Sequence, residues 1–175
     1  MKDTHAICLT VNGRRHELTV EARRTLADML RHDLGYTGTH LGCEHGICGA
    51  CTVLLNGSPV RACLVFGVQA DGASVRTVEG LAEGPDGPLS DLQQAFSDHH
   101  ALQCGFCTPG FLMLAEAYLA EEAEPLSEER ARELVASNLC RCTGYQGIIE
   151  AIVATSTARA RQSGGPVGGE PGDAR

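Results

Sequence analysis

The sequence predicts an α+β chain in two parts, a β-rich first half followed by an all-helical second half, and three observations carry that prediction. Alternating apolar residues flank two Asn-Gly dipeptides in the first half. Helical spacing of apolar residues takes over after the turn cluster Gly84-Pro85-Asp86-Gly87-Pro88. Eight of the nine cysteines divide into two sets of four, one on each side of that cluster.

Ile7, Leu9 and Val11 alternate, Asn12-Gly13 supplies a two-residue type I′ turn, and Leu18 and Val20 continue the return strand, so a β-hairpin opens the chain. Thr25 reads as a helix N-cap with Asp28 three residues on; Leu26, Met29 and Leu30 give helical spacing that stops by Gly35. A second hairpin runs from Thr52 to Leu55, turns at Asn56-Gly57, and returns from Val60 to Val65 with Cys63 on its return strand. Beyond the turn cluster, helices are predicted from about Leu89 to Asp98, from Phe111 to Glu122 behind Pro109, from a cap at Ser127 to Ser137, and from Gly147 to Ala160. Four helices with cysteines in two of their loops suggest a small four-helix bundle. The segment after Arg161 is Gly- and Pro-rich and predicts a disordered tail. The expected domains are therefore 1–80, 81–160 and a tail over 161–175.

The first cysteine set is Cys43, Cys48, Cys51 and Cys63, spaced C-x4-C-x2-C-x11-C. The second is Cys104, Cys107, Cys140 and Cys142, spaced C-x2-C-x32-C-x-C. Four thiolates per set is what one iron–sulfur cluster takes, and the first spacing is the plant-type [2Fe–2S] pattern. Chemistry of this kind moves electrons one at a time. Small residues between Cys43 and Cys51 leave backbone N–H groups free to turn toward cluster sulfurs. A structural zinc site is the rival reading of both sets, since paired cysteines also suit tetrahedral Zn²⁺. Zn²⁺ has no bridging sulfides to receive such N–H groups. A disulfide framework is disfavoured by the odd count and by a first twenty residues without a secretory h-region, which also points to the cytoplasm.

Composition narrows the function classes further. A formal charge of −8 and a pI near 5.3 disfavour nucleic acid as a ligand. No apolar run reaches the length of a membrane span. With 43% hydrophobic and 4% aromatic residues, two modest cores are affordable, each small enough that bound metal contributes to its stability. Cys8, between Ile7 and Leu9, reads as an ordinary strand residue.

Three motifs together resemble a known family: Gly42-Cys43-Glu44-His45-Gly46-Ile47-Cys48-Gly49-Ala50-Cys51, then Gln103-Cys104-Gly105-Phe106-Cys107-Thr108-Pro109-Gly110, then Asn138-Leu139-Cys140-Arg141-Cys142-Thr143-Gly144-Tyr145. They are similar to those of the small iron–sulfur subunit of the molybdenum hydroxylases, which include xanthine dehydrogenase, aldehyde oxidoreductase, carbon monoxide dehydrogenase and the N-heterocycle hydroxylases. The resemblance covers residues 5 to about 158.

It implies a plant-ferredoxin-like (β-grasp) first domain holding one [2Fe–2S] cluster on Cys43, Cys48, Cys51 and Cys63. A helical domain would hold the other on Cys104, Cys107, Cys140 and Cys142. Gln103 and Cys142 would lie against the pterin of a molybdopterin cofactor on a large subunit, and electrons would pass through both clusters to FAD on a medium subunit. The resemblance implies no catalytic residue in this chain and no substrate chemistry by it alone. The apolar residues available to face the large subunit are Phe106, Phe111, Tyr145 and Ile148. A free-standing ferredoxin-like carrier and a zinc adaptor are the alternative functions, and the carrier leaves Gln103 and Cys142 without a purpose.

Overall fold

The computed structural model describes residues 3–82, 84, 87–122 and 124–163. The first half builds a five-stranded mixed sheet from β1 (Thr4–Val11), β2 (Arg14–Glu21), β3 (Thr52–Leu55), β4 (Ser58–Arg61) and β5 (Ser74–Arg76), in the order β2-β1-β5-β3-β4. Both hairpins form at the Asn-Gly turns: Asn12 and Gly13 have φ of 49° and 79°, Asn56 and Gly57 of 52° and 86°. These positive values are what a type I′ turn demands. The β1–β5 pair is parallel and brings Val11 opposite Val75.

Thr25 caps the first helix as predicted, accepting from Asp28 N–H at 3.1 Å. The helix itself is short, α1 (Leu26–Asp28), and widens into a π-type turn over Met29–Asp33 before Gly35, at φ 81°. Leu26, Met29 and Leu30 are fully buried against Leu9, Val11, Val20 and Val53, which makes the first core.

Two expectations need correction here. β5 was not foreseen, because three residues with a single buried apolar side chain, Val75, carry too little alternation. Cys63 lies just beyond the return strand, in a tight 3₁₀ turn over Ala62–Leu64. The strand stops at Arg61 and the turn folds Cys63 inward, leaving it 7% exposed.

The second half forms α2 (Asp91–Asp98), α3 (Thr108–Glu121), α4 (Glu128–Val135) and α5 (Gln146–Ser163). Ser90 caps α2 in a reciprocal box with Gln93, so that helix starts two residues later than predicted. Ser127 caps α4 as predicted, accepting from Arg130 N–H. The last helix runs to Ser163; the rest of the expected tail, 164–175, lies outside the described residues, as do Pro85 and Asp86 of the turn cluster. α5 packs on α2 and α4, while α3 packs on β3 and β4. Leu54 of β3 consequently joins the helical core of Leu92, Phe96, Phe111, Met113, Ile148 and Ile152.

A charged network also ties helices to sheet. Arg159 on α5 donates through Nε and Nη2 to both carboxylate oxygens of Asp91 at 2.7 Å and to Glu116 on α3 at 2.9 Å. Arg76 on β5 reaches the other oxygen of Glu116 at 3.3 Å. The Arg159 fork holds the Asp91 carboxyl below its ordinary range. A depressed carboxyl contributes stability that is full above its unfolded value, about pH 4, and is lost as acid carries the pH down through the folded value. Arg159→Leu is expected to lower stability at pH 7 by about 1 kcal/mol, a figure kept small by the half-exposed Asp91 side chain. It should also flatten the acid limb below about pH 4, as thermal unfolding at stepped pH will read.

Candidate iron–sulfur centres

The first quartet sits where a Gly-rich loop meets the first core. Gly46 and Gly49 have φ of 83° and 75°, and Glu44 joins them at 56°. The loop therefore coils through left-handed conformations that turn its N–H groups inward. Cys48 N–H points at Cys43 Sγ at 3.3 Å. Together with the N–H groups of His45 and Ile47, it draws the Cys43 thiol down to about 6. Cys51 is 2% exposed, and burial pushes its thiol up to about 12.

The second quartet repeats that contrast between an outer and an inner thiol. Cys104 and Cys142 are exposed with their sulfurs 3.5 Å apart. The Phe106 N–H lowers the Cys104 thiol, while the Cys104 side chain raises that of Cys142. Cys107, at the start of α3, is pushed up to about 12 by burial. Cys140 is lowered against the opposing effect of its own burial, through the Thr143 hydroxyl at 3.1 Å and the Thr143 N–H at 3.4 Å.

Within each quartet the thiols interact in pairs: the Cys104 and Cys142 sulfurs lie 3.5 Å apart, and Cys43 with Cys48, Cys51 with Cys63 and Cys107 with Cys140 act on one another electrostatically. Each pair also feels a thiol of the other pair in its quartet, Cys51 that of Cys48 and Cys104 that of Cys140. Two irons bridged by two sulfides take two thiolates each, so a pair of pairs fits one [2Fe–2S] group. A lone zinc ion would instead draw its donors to a single point. Loading either quartet requires the buried, high-value thiol to lose its proton, so metal binding and proton release are coupled.

The remaining predicted residues fall on the surface or in this chain's own core. Gln103 is exposed beside exposed Cys104. Cys8 is half-buried, its N–H bound to Asp71 Oδ1 at 2.8 Å. Phe111 and Ile148, expected to face a partner, are instead buried at 0% and 1% in the helical core. Tyr145 is half-buried and turned inward, its hydroxyl accepting from Cys140 N–H at 2.9 Å and donating to Asn138 C=O at 3.3 Å. The exposed apolar residues near the quartets are Ile47, Leu64 and Phe66 beside the first, and Leu102, Phe106 and Leu139 beside the second.

One structural feature of the site had no signal in the sequence: the two cysteine loops are in contact. Gly49 C=O accepts from Thr52 Oγ1–H at 2.6 Å and from Asn138 Nδ2–H at 3.3 Å. Leu139 N–H donates to Cys48 C=O at 2.9 Å. Arg61 grips Ser137 C=O at 2.7 Å. The His40 ring also stacks on Phe106 with centroids 4.9 Å apart, its Nδ1–H donating to Phe106 C=O at 2.7 Å.

Comparison with known proteins gives the family. Residues 9–74 match the 2Fe-2S iron-sulfur cluster binding domain, and residues 77–153 match the [2Fe-2S] binding domain. The chain is 55% identical over 155 residues to the caffeine dehydrogenase subunit gamma of Pseudomonas sp. (strain CBB1), covering 87% of this chain and 92% of that one. It is 56% identical over 151 residues to the nicotine 6-hydroxylase small subunit of Paenarthrobacter nicotinovorans, covering 86% and 89%. Its fold superposes on a chain of quinoline 2-oxidoreductase from Pseudomonas putida 86 with a TM-score of 0.85 and 49% identity, over 93% and 98% of the two chains. The quartets, the two domain matches and these relatives together place the chain in the family of small iron–sulfur, electron-transfer subunits of the molybdenum hydroxylases.

Proposed function

We propose that this chain relays electrons singly from a molybdopterin-bound molybdenum on a large subunit to FAD on a medium subunit. Its two [2Fe–2S] clusters would be held by Cys43, Cys48, Cys51 and Cys63 and by Cys104, Cys107, Cys140 and Cys142. The observation that carries this reading is the Gly-rich loop of the first quartet, which turns the Cys48 N–H onto Cys43 Sγ, together with the sulfur contact between Cys104 and Cys142 in the second. A bound cluster supplies one reversible one-electron step at each quartet. The chain's own part is to fix the thiols, aim N–H groups at the outer sulfurs, and bury the inner ones.

The proposed domains are 1–80 and 81–163, the second a small helical bundle, the boundary expected at 160 moving to the end of the last helix. Exposed Gln103 and Cys142 stand at the rim of the second quartet and are assigned to the pterin side. Leu102, Phe106 and Leu139 would seat the large subunit there, and Ile47, Leu64 and Phe66 the medium one beside the first quartet. These replace Phe111, Tyr145 and Ile148 in the proposed interface. A cytoplasmic setting suits eight thiols that must stay reduced. Relatives named for caffeine and nicotine support a nitrogen heterocycle as the substrate class of the complete enzyme.

The test is Gln103→Ala in the assembled complex. Both clusters should remain, with unaltered visible and paramagnetic spectra, while substrate reduces them more slowly and dithionite at the normal rate. Substrate reduction at the wild-type rate would remove Gln103 from the route.

A further inference from the structure

We propose that the Thr143 hydroxyl donates a hydrogen bond to Cys140 Sγ and thereby raises the reduction potential of the second centre, with Thr143 as its positioning residue. The inference rests on the reading that the second quartet holds a [2Fe–2S] cluster. It deepens that reading by naming the side chain that adjusts how readily this centre takes an electron.

Thr143 Oγ1 lies 3.1 Å from Cys140 Sγ, and the Thr143 N–H reaches the same sulfur at 3.4 Å. Tyr145 N–H donates to Thr143 Oγ1 at 3.1 Å. That bond occupies an acceptor site of the hydroxyl and leaves its hydrogen free to turn toward the sulfur. A cluster ligand is a thiolate and carries no hydrogen of its own, so of the two atoms the hydroxyl is the donor. The Tyr145 N–H polarises the hydroxyl it feeds and strengthens the bond that hydroxyl gives.

The backbone is bent to make this arrangement. Gly144 and Tyr145 have φ of 67° and 71°, and a left-handed conformation is uncommon for a residue as bulky as tyrosine. Tyr145 is held there by its own hydroxyl, which accepts from Cys140 N–H at 2.9 Å and donates to Asn138 C=O at 3.3 Å. The turn from 143 to 145 thus closes on Cys140 twice, with the Thr143 hydroxyl on its sulfur and the Tyr145 phenol on its amide. Backbone strain persists where the surroundings fix it, and what it delivers here is a donor at a ligand sulfur.

Reduction adds one electron to the cluster; no bond is made or broken, and the hydroxyl keeps its proton. A hydrogen bond to a ligand sulfur stabilises the more negative, reduced cluster more than the oxidised one, so the potential rises. In the first quartet the donor at Cys43 Sγ is the backbone N–H of Cys48, so Thr143 acts on the second centre alone. A threonine that served only to shape the loop would leave the potential unmoved when replaced by a residue of the same shape.

The experiment is a redox titration of the assembled complex carrying Thr143→Val or Thr143→Ser, with paramagnetic resonance following each centre. The second centre's signal is the one that survives Cys48→Ser. Valine keeps the shape of the side chain and removes the donor, whereas serine keeps the donor. In Thr143→Val, reduction of the second centre should become less favourable by about three- to tenfold, which is about 30–60 mV for one electron. The first centre should keep its midpoint, and Thr143→Ser should stay near the wild type at both. An unmoved second midpoint in Thr143→Val overturns the proposal, and so does an equal fall in Thr143→Ser. If Thr143→Val does not load the second quartet, electron–nuclear double resonance of the wild type and Thr143→Ser decides. Both should show a hydrogen coupled to the reduced second centre that is lost on brief contact with deuterated water, because a hydroxyl exchanges far faster than a hydrogen-bonded amide. Its absence from the wild type overturns the hydrogen bond. A wild-type complex without a second reducible centre would defeat the underlying reading instead.

Discussion

Gly110→Ala is expected to destabilise the chain, although Ala is the better helix former. Gly110 lies in the first turn of α3, where the exchange would gain about 1 kcal/mol of helix propensity. A Cβ at that position would stand 2.2 Å from Gly49 C=O and 3.1 Å from Ala50 Cα. Both neighbours are backbone and cannot rotate away. Overpacking of this kind costs about 1–3 kcal/mol, and more where backbone must move. The collision therefore wins, with a net loss of about 2 kcal/mol. The displaced group is the carbonyl that accepts from Thr52 and from the Asn138 side chain. Urea unfolding of the assembled complex should show a lower midpoint, and iron should dissociate earlier than in the wild type. A neutral or stabilising result would mean that α3 does not press on the first cysteine loop.

Cys48→Ser is expected to abolish one paramagnetic signal of the reduced complex and about half of its iron while sparing the other signal. Cys48 supplies one thiol of the outer pair with Cys43, and its N–H lowers the Cys43 thiol. Serine keeps the N–H but replaces a soft thiolate by a hydroxyl that stays protonated at neutral pH. The second quartet should survive, because what it takes from residue 48 is a backbone carbonyl. Loss of both signals in a folded, assembled complex would contradict two separate centres.

The legible parts of this molecule were those whose chemistry is local. Asn12-Gly13 and Asn56-Gly57 announced both hairpins because a type I′ turn needs two positive φ angles in succession. Thr25 and Ser127 announced helix starts because a side-chain oxygen meets an N–H three residues on. The cysteine quartets were legible because the first follows the plant-type [2Fe–2S] spacing within a short stretch of chain.

What was hidden depends on residues far apart in sequence. β5 is a strand only because β1 and β3 flank it. Phe111 gave no sign of which way it faces, since α3 is apolar on nearly every side, with sheet against one side and helix against another, and Ile148 sits on α5, whose apolar residues likewise mark no single face. Asn138 meets Gly49 across 89 positions, and no pattern around either residue records that. The sequence motifs named the two cysteine quartets, while the contact between their loops emerged from packing.

The most direct test of the account is the iron and acid-labile sulfide content of the chain, purified anaerobically in its complex from cells that assemble clusters. About four iron and about four sulfide per chain are expected, giving two distinct one-electron signals on reduction. About eight iron, or stoichiometric zinc without sulfide, would contradict it.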